Sequence, residues 1–334
     1  STRAETDTGS RAASHAAPAT ARKQDEGMTD LPTSQANPAV RPKVAAPGET
    51  HATDWIGYAF VGFFALPFFL FNILPVLFGA YVAFTKWSII GKPRWLGLDN
   101  FAHAFSDHWV SVAFQNVLFY GAVIVPGVTV LGLLFALFVN QRYPLSALAR
   151  TLFFAPNVVS ATVIGLVWVW LLDTQYGLIN HYLGFLGIGQ IPWLTSPDWS
   201  KVGVSIASIW WDLGLAFVLF LAALQDIPRD ITEAATVDGA NRIQRFWFVI
   251  LPHLRPVISM VVTLQLISTL RIFSQVYVMT NGGPAGSSSS PIYYIYNTAI
   301  ERQLFGYASA IGMLLFGVIL AVTIAQRFAI RERA

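Results

Sequence analysis

The chain has 334 residues, 54% of them hydrophobic and only 12% charged, with 25 Phe and 11 Trp. Gathered into runs of about 20 residues, such a composition marks an integral membrane protein rather than a soluble domain. The net charge of +3 gives no reason to expect a nucleic-acid partner, and the absence of Cys excludes disulfides, thiolate nucleophiles and Cys-held metals.

Residues 1–52 are rich in Ala, Thr, Ser and Pro, with scattered charges and no hydrophobic periodicity. They read as a disordered, solvated tail without the apolar core of a signal peptide. Residues 53–334 form the membrane domain. Its first span is expected over Trp55–Thr85, long enough to tilt or project, with Pro67 and Pro75 as kink points. A loop over 86–110 carries Trp87, Trp95 and Trp109, amphipathic rings suited to an interface. Span two covers Val112–Asn140, followed by a short polar turn with Arg142 and Arg150. Span three covers Leu152–Leu172 and is interrupted near its start by Pro156. A second loop leads to span four at Val202–Leu224.

The segment Gln225–Pro256 is the one long polar stretch with regular helix signals. Pro228 suits a first helical turn, Asp230 and Glu233 sit near its positive end, and Gly239 suits the left-handed closing position. Asn241 and Gln244 match a capping pair for a second helix, which Pro252 and Pro256 are expected to end. Span five follows at Val257–Thr280, then a Gly/Ser/Pro turn over Asn281–Pro291, and span six at Phe305–Phe328. The expected fold is therefore all-α, with six transmembrane helices and both termini on one side. That side, counting the Gln225–Pro256 loop, holds 15 Lys and Arg against five on the other, which predicts cytoplasmic termini in a plasma membrane.

The loop resembles the EAA loop of ABC-importer permeases. Glu233-Ala234-Ala235 is followed by Gly239 and then by Val249-Ile250-Leu251-Pro252, with Val249 as a conservative departure. The likeness extends over about residues 53–330 to the carbohydrate-uptake permeases of the maltose, trehalose and glycerol-phosphate type, and to the maltose-permease F-like subunit in particular. Gly97-Leu98-Asp99-Asn100-Phe101, Asn116, Pro156, Tyr176-Gly177-Leu178-Ile179-Asn180 and Thr280-Asn281-Gly282-Gly283-Pro284 carry it. The resemblance implies the type I importer permease fold, with a cytoplasmic coupling helix that docks on an ATPase through Glu233, Ala234, Ala235, Asp238, Gly239, Leu251 and Pro252. The small Ala234 and Ala235 side chains suit close approach by another protein.

The same resemblance implies sugar contacts at Phe153, Asn157, Ser208, Trp211, Asp212, Leu215, Gln265 and Thr269. Several of these also stand out without it. Polar groups inside a span face partner helices or an aqueous path, and sugars are bound by planar hydrogen-bonding groups and aromatic faces. On a continuous helical wheel Gln265, Ser268, Thr269, Arg271 and Gln275 share one face of span five, while Ser205, Ser208 and Asp212 share one face of span four. For Ser205 and Ser268, hydrogen bonding across the bundle is an equal alternative to lining the path. Asp212 and Arg271 need a stronger reason: pairing with each other, or holding a charged substrate group.

The expected function is one membrane subunit of an ATP-driven importer for a sugar or related polyol. The chain is not itself an enzyme: it has no phosphate-binding Gly-x-x-x-x-Gly-Lys-Ser/Thr loop, no catalytic cluster and no metal site. ATP and Mg belong to a partner ATPase dimer. A second permease, an external solute-binding protein and membrane lipid complete the expected partners. The alternatives are an ABC permease for another solute, such as a glycerophosphodiester or an amino sugar, and an ion-coupled secondary transporter. For the latter, Asp212 is the only carboxylate well inside a span.

Overall fold

The computed structural model describes residues 54–88, 91–140 and 146–331. The expected tail, most of the turn after span two and the last three residues lie outside them. The chain divides into two units, residues 1–60 and 61–334. Of the first, only 54–60 are described, and they are helical.

Helix α1 (Asp54–Phe68) crosses that boundary and runs through a π-helical turn at Phe69–Ile73 into α2 (Leu74–Ala83). A π turn inserts one residue into the helical ladder. It falls just after Pro67, whose ring removes a backbone donor, and just before Pro75 in the first turn of α2. The two prolines are thus absorbed without breaking the span, Gly57–Ala83.

The loop after it is more structured than its sequence suggests. Strands β1 (Thr85–Lys86) and β2 (Arg94–Trp95) pair antiparallel, and α3 (Asp99–Ser106) follows. Span two is α4 (His108–Asn140), about 50 Å of helix and longer than a bilayer core.

Span three is not one rod. Helices α5 (Ser146–Val158) and α6 (Ala161–Leu171) meet at an angle of 103°. The break lies four residues beyond Pro156, where the Ser160 hydroxyl accepts from the Val163 amide and starts a new helix. Helix α7 (Leu178–Phe185) lies in the following loop, and α8 (Pro197–Asp226) forms span four. Span four begins five residues before the sequence-based boundary because Ser196 caps it and Pro197 opens it.

Next come α9 (Arg229–Val237), the short α10 (Arg242–Arg245), a π turn at Phe246–Ile250 and α11 (Leu251–Leu270). Pro252 and Pro256 do not end a helix, contrary to expectation. Pro252 falls in the first turn after the π turn, where its missing donor is tolerated, and the helix from Arg242 to Leu270 forms span five. That span stops at Leu270, and α12 (Ser274–Met279) is a separate piece. Helix α13 (Pro291–Tyr296), a π turn at Asn297–Glu301 and α14 (Phe305–Arg331) complete the chain. The described residues contain five apolar helices long enough to cross a membrane, or six if the bent α5–α6 pair counts as one.

The second unit packs around α4 and α8. Close approach depends on small residues, because lipid and side chains are equally apolar and burial alone does not drive helices together. A Cβ at Gly132 would meet the Ala216 Cβ at 3.0 Å, and one at Gly214 would meet the Phe153 carbonyl oxygen at 3.0 Å. Tyr120, Ile124, Val128, Phe217 and Phe220 fill the interior between these helices.

Three asparagines from the recognisable sequence pieces staple the loops. Asn100 donates to the carbonyls of Ala83 and Thr85 at 2.8 and 2.9 Å. Asn116 donates from span two to Gly286 and Ser289 at 2.9 and 3.0 Å, beside a 2.8 Å bond from the Tyr120 hydroxyl to the Ser288 carbonyl. Asn180 donates to Thr174 and Ile191 and accepts from the Ile191 amide and the Trp193 indole. All three are buried, and each satisfies carbonyls that irregular backbone would otherwise leave unpaired.

Candidate functional site

The breaks in spans three and five face a common cavity. A cleft of about 360 Å³ is lined by Ser208, Trp211 and Asp212 from α8 and by Thr269, Arg271 and Gln275 from the broken span five. Ala161, at the first turn of α6, also reaches it. The volume is that of a small-molecule site.

The bend in span three is tied to span four at this place. Trp211 donates its indole N–H to the Val159 carbonyl at 3.0 Å, and Asn157 donates weakly to the Trp211 carbonyl at 3.4 Å. The first bond occupies a carbonyl at the turn between α5 and α6 and fixes the Trp211 ring at the cavity wall. The Ser208 hydroxyl is already used on the Val204 carbonyl at 2.8 Å. Thr269 Oγ1 is buried and has no hydrogen-bond partner among the described residues, and neither has Gln265 Oε1 four residues earlier.

Asp212 and Arg271 line the same cavity, yet no ion pair joins them. Arg271 is exposed because the helix ends there: Leu270 is the last residue of α11, and Arg271 caps it. The expected continuous face from Gln265 to Gln275 therefore does not exist. Gln275 reaches the cavity from α12, beyond the break at Arg271–Phe273.

Of the expected substrate-path residues, Ser208, Trp211, Asp212, Thr269 and Arg271 are brought together. Phe153, Asn157, Leu215 and Gln265 are not in the lining. Phe153 stacks on Phe135 at 4.5 Å and leans on Phe217 at 5.4 Å. Leu215 is exposed on α8, one turn beyond Trp211 and Asp212. Ser268, from the expected polar face, lines the cleft as well, and so do Phe273 and Ser274, which that face did not include. The only sequence signal was a polar Ser in an apolar run, which is also common in unbroken spans.

The Gln225–Pro256 segment carries the anticipated caps. Gly239 has φ +83°, and the Asn241–Gln244 capping box is closed by two 2.9 Å bonds. Arg245 donates to the Thr236 hydroxyl at 2.7 Å, which ties α10 to the end of α9. Glu233, Ala234, Asp238 and Gly239 are exposed, while Ala235, Leu251 and Pro252 are half-buried. Val237, Ile243 and Phe248 are also exposed. Small and apolar side chains standing open around a rigid polar helix form a surface suited to another protein.

A second polar cluster lies at the opposite ends of the spans. Asp107 Oδ2 accepts from the hydroxyls of Tyr294 and Tyr307, both at 2.7 Å, and Oδ1 accepts from the Trp109 amide at 2.8 Å. Burial alone would raise the Asp107 carboxyl, but these hydrogen bonds and nearby His103 outweigh it and hold it below its ordinary value. Burial, together with the bond to Asp107, pushes Tyr294 up to about 12. The cluster joins α4, α13 and α14 and was not anticipated.

Apolar spans packed through small residues, with a polar cleft where two spans break and a capped helix standing free between two others, define a multi-pass membrane transport subunit. The chain belongs to the binding-protein-dependent transport system inner membrane component family, whose model matches residues 128–333. It is 34% identical over 258 residues to the trehalose/maltose transport system permease protein MalF of Thermococcus litoralis, covering 76% of this chain and 86% of that one. It is 31% identical over 256 residues to the sulfoquinovosyl glycerol transport system permease protein SmoG of Agrobacterium fabrum, covering 76% and 83%. Its fold matches a chain of a bacterial ABC transporter that imports the acidic polysaccharide alginate, with TM-score 0.74 and 24% identity over 84% of this chain and 96% of that one. The chain is thus a permease subunit of a binding-protein-dependent transport system, and that membership favours such uptake over the ion-coupled alternative.

Proposed function

We propose that this permease subunit imports a sugar or sugar derivative, forms half of the path and couples it to ATP through the Gln225–Pro256 loop. The observation that carries the reading is the exposed α9 with its Glu233-Ala234-Ala235 sequence, in a chain whose relatives include a trehalose/maltose and a sulfoquinovosyl glycerol permease. An ATPase dimer, which binds ATP and Mg, docks on α9 and on the half-buried Leu251-Pro252 start of span five. A second permease completes the path, and a solute-binding protein delivers the cargo on the other side. Both termini then face the cytoplasm.

The mechanism follows from the rigidity of the loop. The capping box and the Arg245–Thr236 bond make α9, α10 and span five move together. Closure of the ATPases displaces α9, and α11 carries that displacement to its broken end at Arg271, where the cavity lies. There Trp211 offers a ring face, Asp212 a carboxyl and Arg271 donor groups. These suit a ligand dense in hydroxyls, with room for an ionised substituent.

The test is uptake by vesicles containing the reconstituted complex. The reading requires ATP-driven sugar accumulation that persists with an uncoupler and disappears when the ATPase or the binding protein is omitted. Uptake that collapses with the uncoupler would overturn it.

A further inference from the structure

Residues 174–197 contain no Asp, Glu, Lys or Arg, although they connect two spans and include a surface helix. The loop at residues 86–107, after the first span, carries five such charges. A water-facing loop of 24 residues without charge is unusual, and α7 within it is apolar on two faces.

The inner face of α7 is explained. Ile179 and Leu183 pack on the main core, and Asn180 between them makes four hydrogen bonds that close the loop. The outer face is not. Leu178, His181, Tyr182 and Phe185 stand at i, i+3, i+4 and i+7 and are exposed, Tyr182 by 61% and Phe185 by 75%. Leu186 and Tyr176 extend this face with exposures of 74% and 82%. Because Asn180 clamps the helix, α7 cannot roll to hide these side chains.

The position of α7 indicates what covers them. Val163, Leu166, Val167 and Trp170 form an exposed apolar stripe along α6 at the same i, i+3, i+4, i+7 spacing. Such a stripe on one half of the bent α5–α6 span suits contact with lipid, and Trp170 in its last turn suits the interface. The chain then turns at once. Asp173 Oδ1 accepts from the amides of Gln175 and Tyr176 at 2.9 and 2.7 Å, and the Gly177 amide returns to the Asp173 carbonyl at 3.1 Å. A tight turn of this kind leaves α7 little distance to climb away from the level of Trp170.

We propose that α7 is an interfacial helix, its Leu178–Tyr182–Phe185–Leu186 face seated in the headgroup and acyl boundary of the leaflet opposite the Gln225–Pro256 loop. The burial depth is that of an interfacial amphipathic helix, about 5–10 Å. Aromatic and aliphatic side chains without Lys or Arg fit a zwitterionic or mixed lipid surface rather than a specific anionic headgroup. Anchored there, α7 holds the outer ends of α6 and α8 at a fixed depth while the inner ends move.

This chain has no Cys, so single-cysteine spin labels are placed in it within a complex whose other subunits are made free of Cys. Labels at Tyr182→Cys and Phe185→Cys are compared with Leu166→Cys, facing lipid, and Asp198→Cys, exposed in the first turn of α8. The complete transporter is used, in phosphatidylethanolamine/phosphatidylglycerol vesicles. Lipid seating gives collision with oxygen severalfold greater than with a water-soluble nickel chelate at both positions, as at Leu166. A ratio like that at Asp198 means the face is wet, and the proposal falls. Low collision with both reagents means a protein covers it, and a chelate signal lost only on adding the solute-binding protein means that partner docks there; either result overturns the proposal. If Phe185→Cys does not assemble, Leu186→Cys reads the same face.

Discussion

The indole N–H of Trp211 lies 3.0 Å from the carbonyl oxygen of Val159, the residue at which span three turns. One side chain of span four thereby holds the bend of span three and presents a ring to the cleft. Trp211→Phe keeps a ring and deletes the donor, leaving the Val159 carbonyl short of a partner. A loss of about 1–2 kcal/mol is expected. It should appear as a lower melting temperature of the detergent-solubilised complex and as reduced uptake. An unchanged melting temperature would show that water replaces the bond.

Arg271 and Asp212 share the cavity without pairing. Arg271→Gln should therefore leave assembly and stability nearly unchanged while altering uptake, since the exposed guanidinium supports no internal contact. Asp212→Asn should lower uptake of the cargo without preventing assembly with the partner subunits. If uptake is intact in both variants, neither charge serves the path.

Asn116 joins span two to backbone about 170 residues away. Asn116→Ala leaves the Gly286 and Ser289 carbonyls without that donor, and destabilisation of about 2–3 kcal/mol is expected. Asn116→Asp should be at least as harmful, because a carboxylate repels the same two oxygens. Thermal denaturation of the purified complex measures both.

Asp107 supplies the pH dependence. Its folded carboxyl sits below the ordinary value of 3.8, so its contribution is fully present above that value and is lost as pH falls through the lower folded one. Thermal stability measured downward from pH 7 should fall off below about pH 4. Asp107→Asn should be less stable at neutral pH and lose less stability on acidification. Parallel curves for both proteins would show that the two tyrosines do not draw on the charge.

Gly239 holds φ +83° between α9 and α10. A Cβ there meets no neighbour, so Gly239→Ala isolates the backbone strain, about 1–2 kcal/mol. Because the residue is exposed beside α9, the effect should fall on ATP-driven uptake more than on folding. Ala234→Trp, which adds bulk to an exposed position, should abolish stimulation of the ATPase while the permease still assembles in the membrane. Normal stimulation in Ala234→Trp would remove α9 from the coupling interface.

The membrane class, the apolar runs and the caps of the Gln225–Pro256 loop were all legible in the amino-acid sequence. Hydropathy is a property of one segment, and a capping box is closed by residues three apart, as Asn241 and Gln244 show. The same locality explains the misreadings. Pro252 looked like a stop, but the π turn before it absorbs the missing donor. The wheel of span five assumed a continuous helix, and the chain breaks at Arg271–Phe273. Only the tertiary structure decided that α5 and α6 meet at 103°, that Asn116 reaches the Gly286 turn, and that Asp212 and Arg271 line one cleft unpaired. The Asn116 bonds and the cleft shared by Asp212 and Arg271 join residues tens of positions or more apart, and the bend, though local in sequence, is held by Trp211 from span four. They exist because packing of α4, α8 and α11 brings them within reach, and no local pattern along the chain encodes that distance.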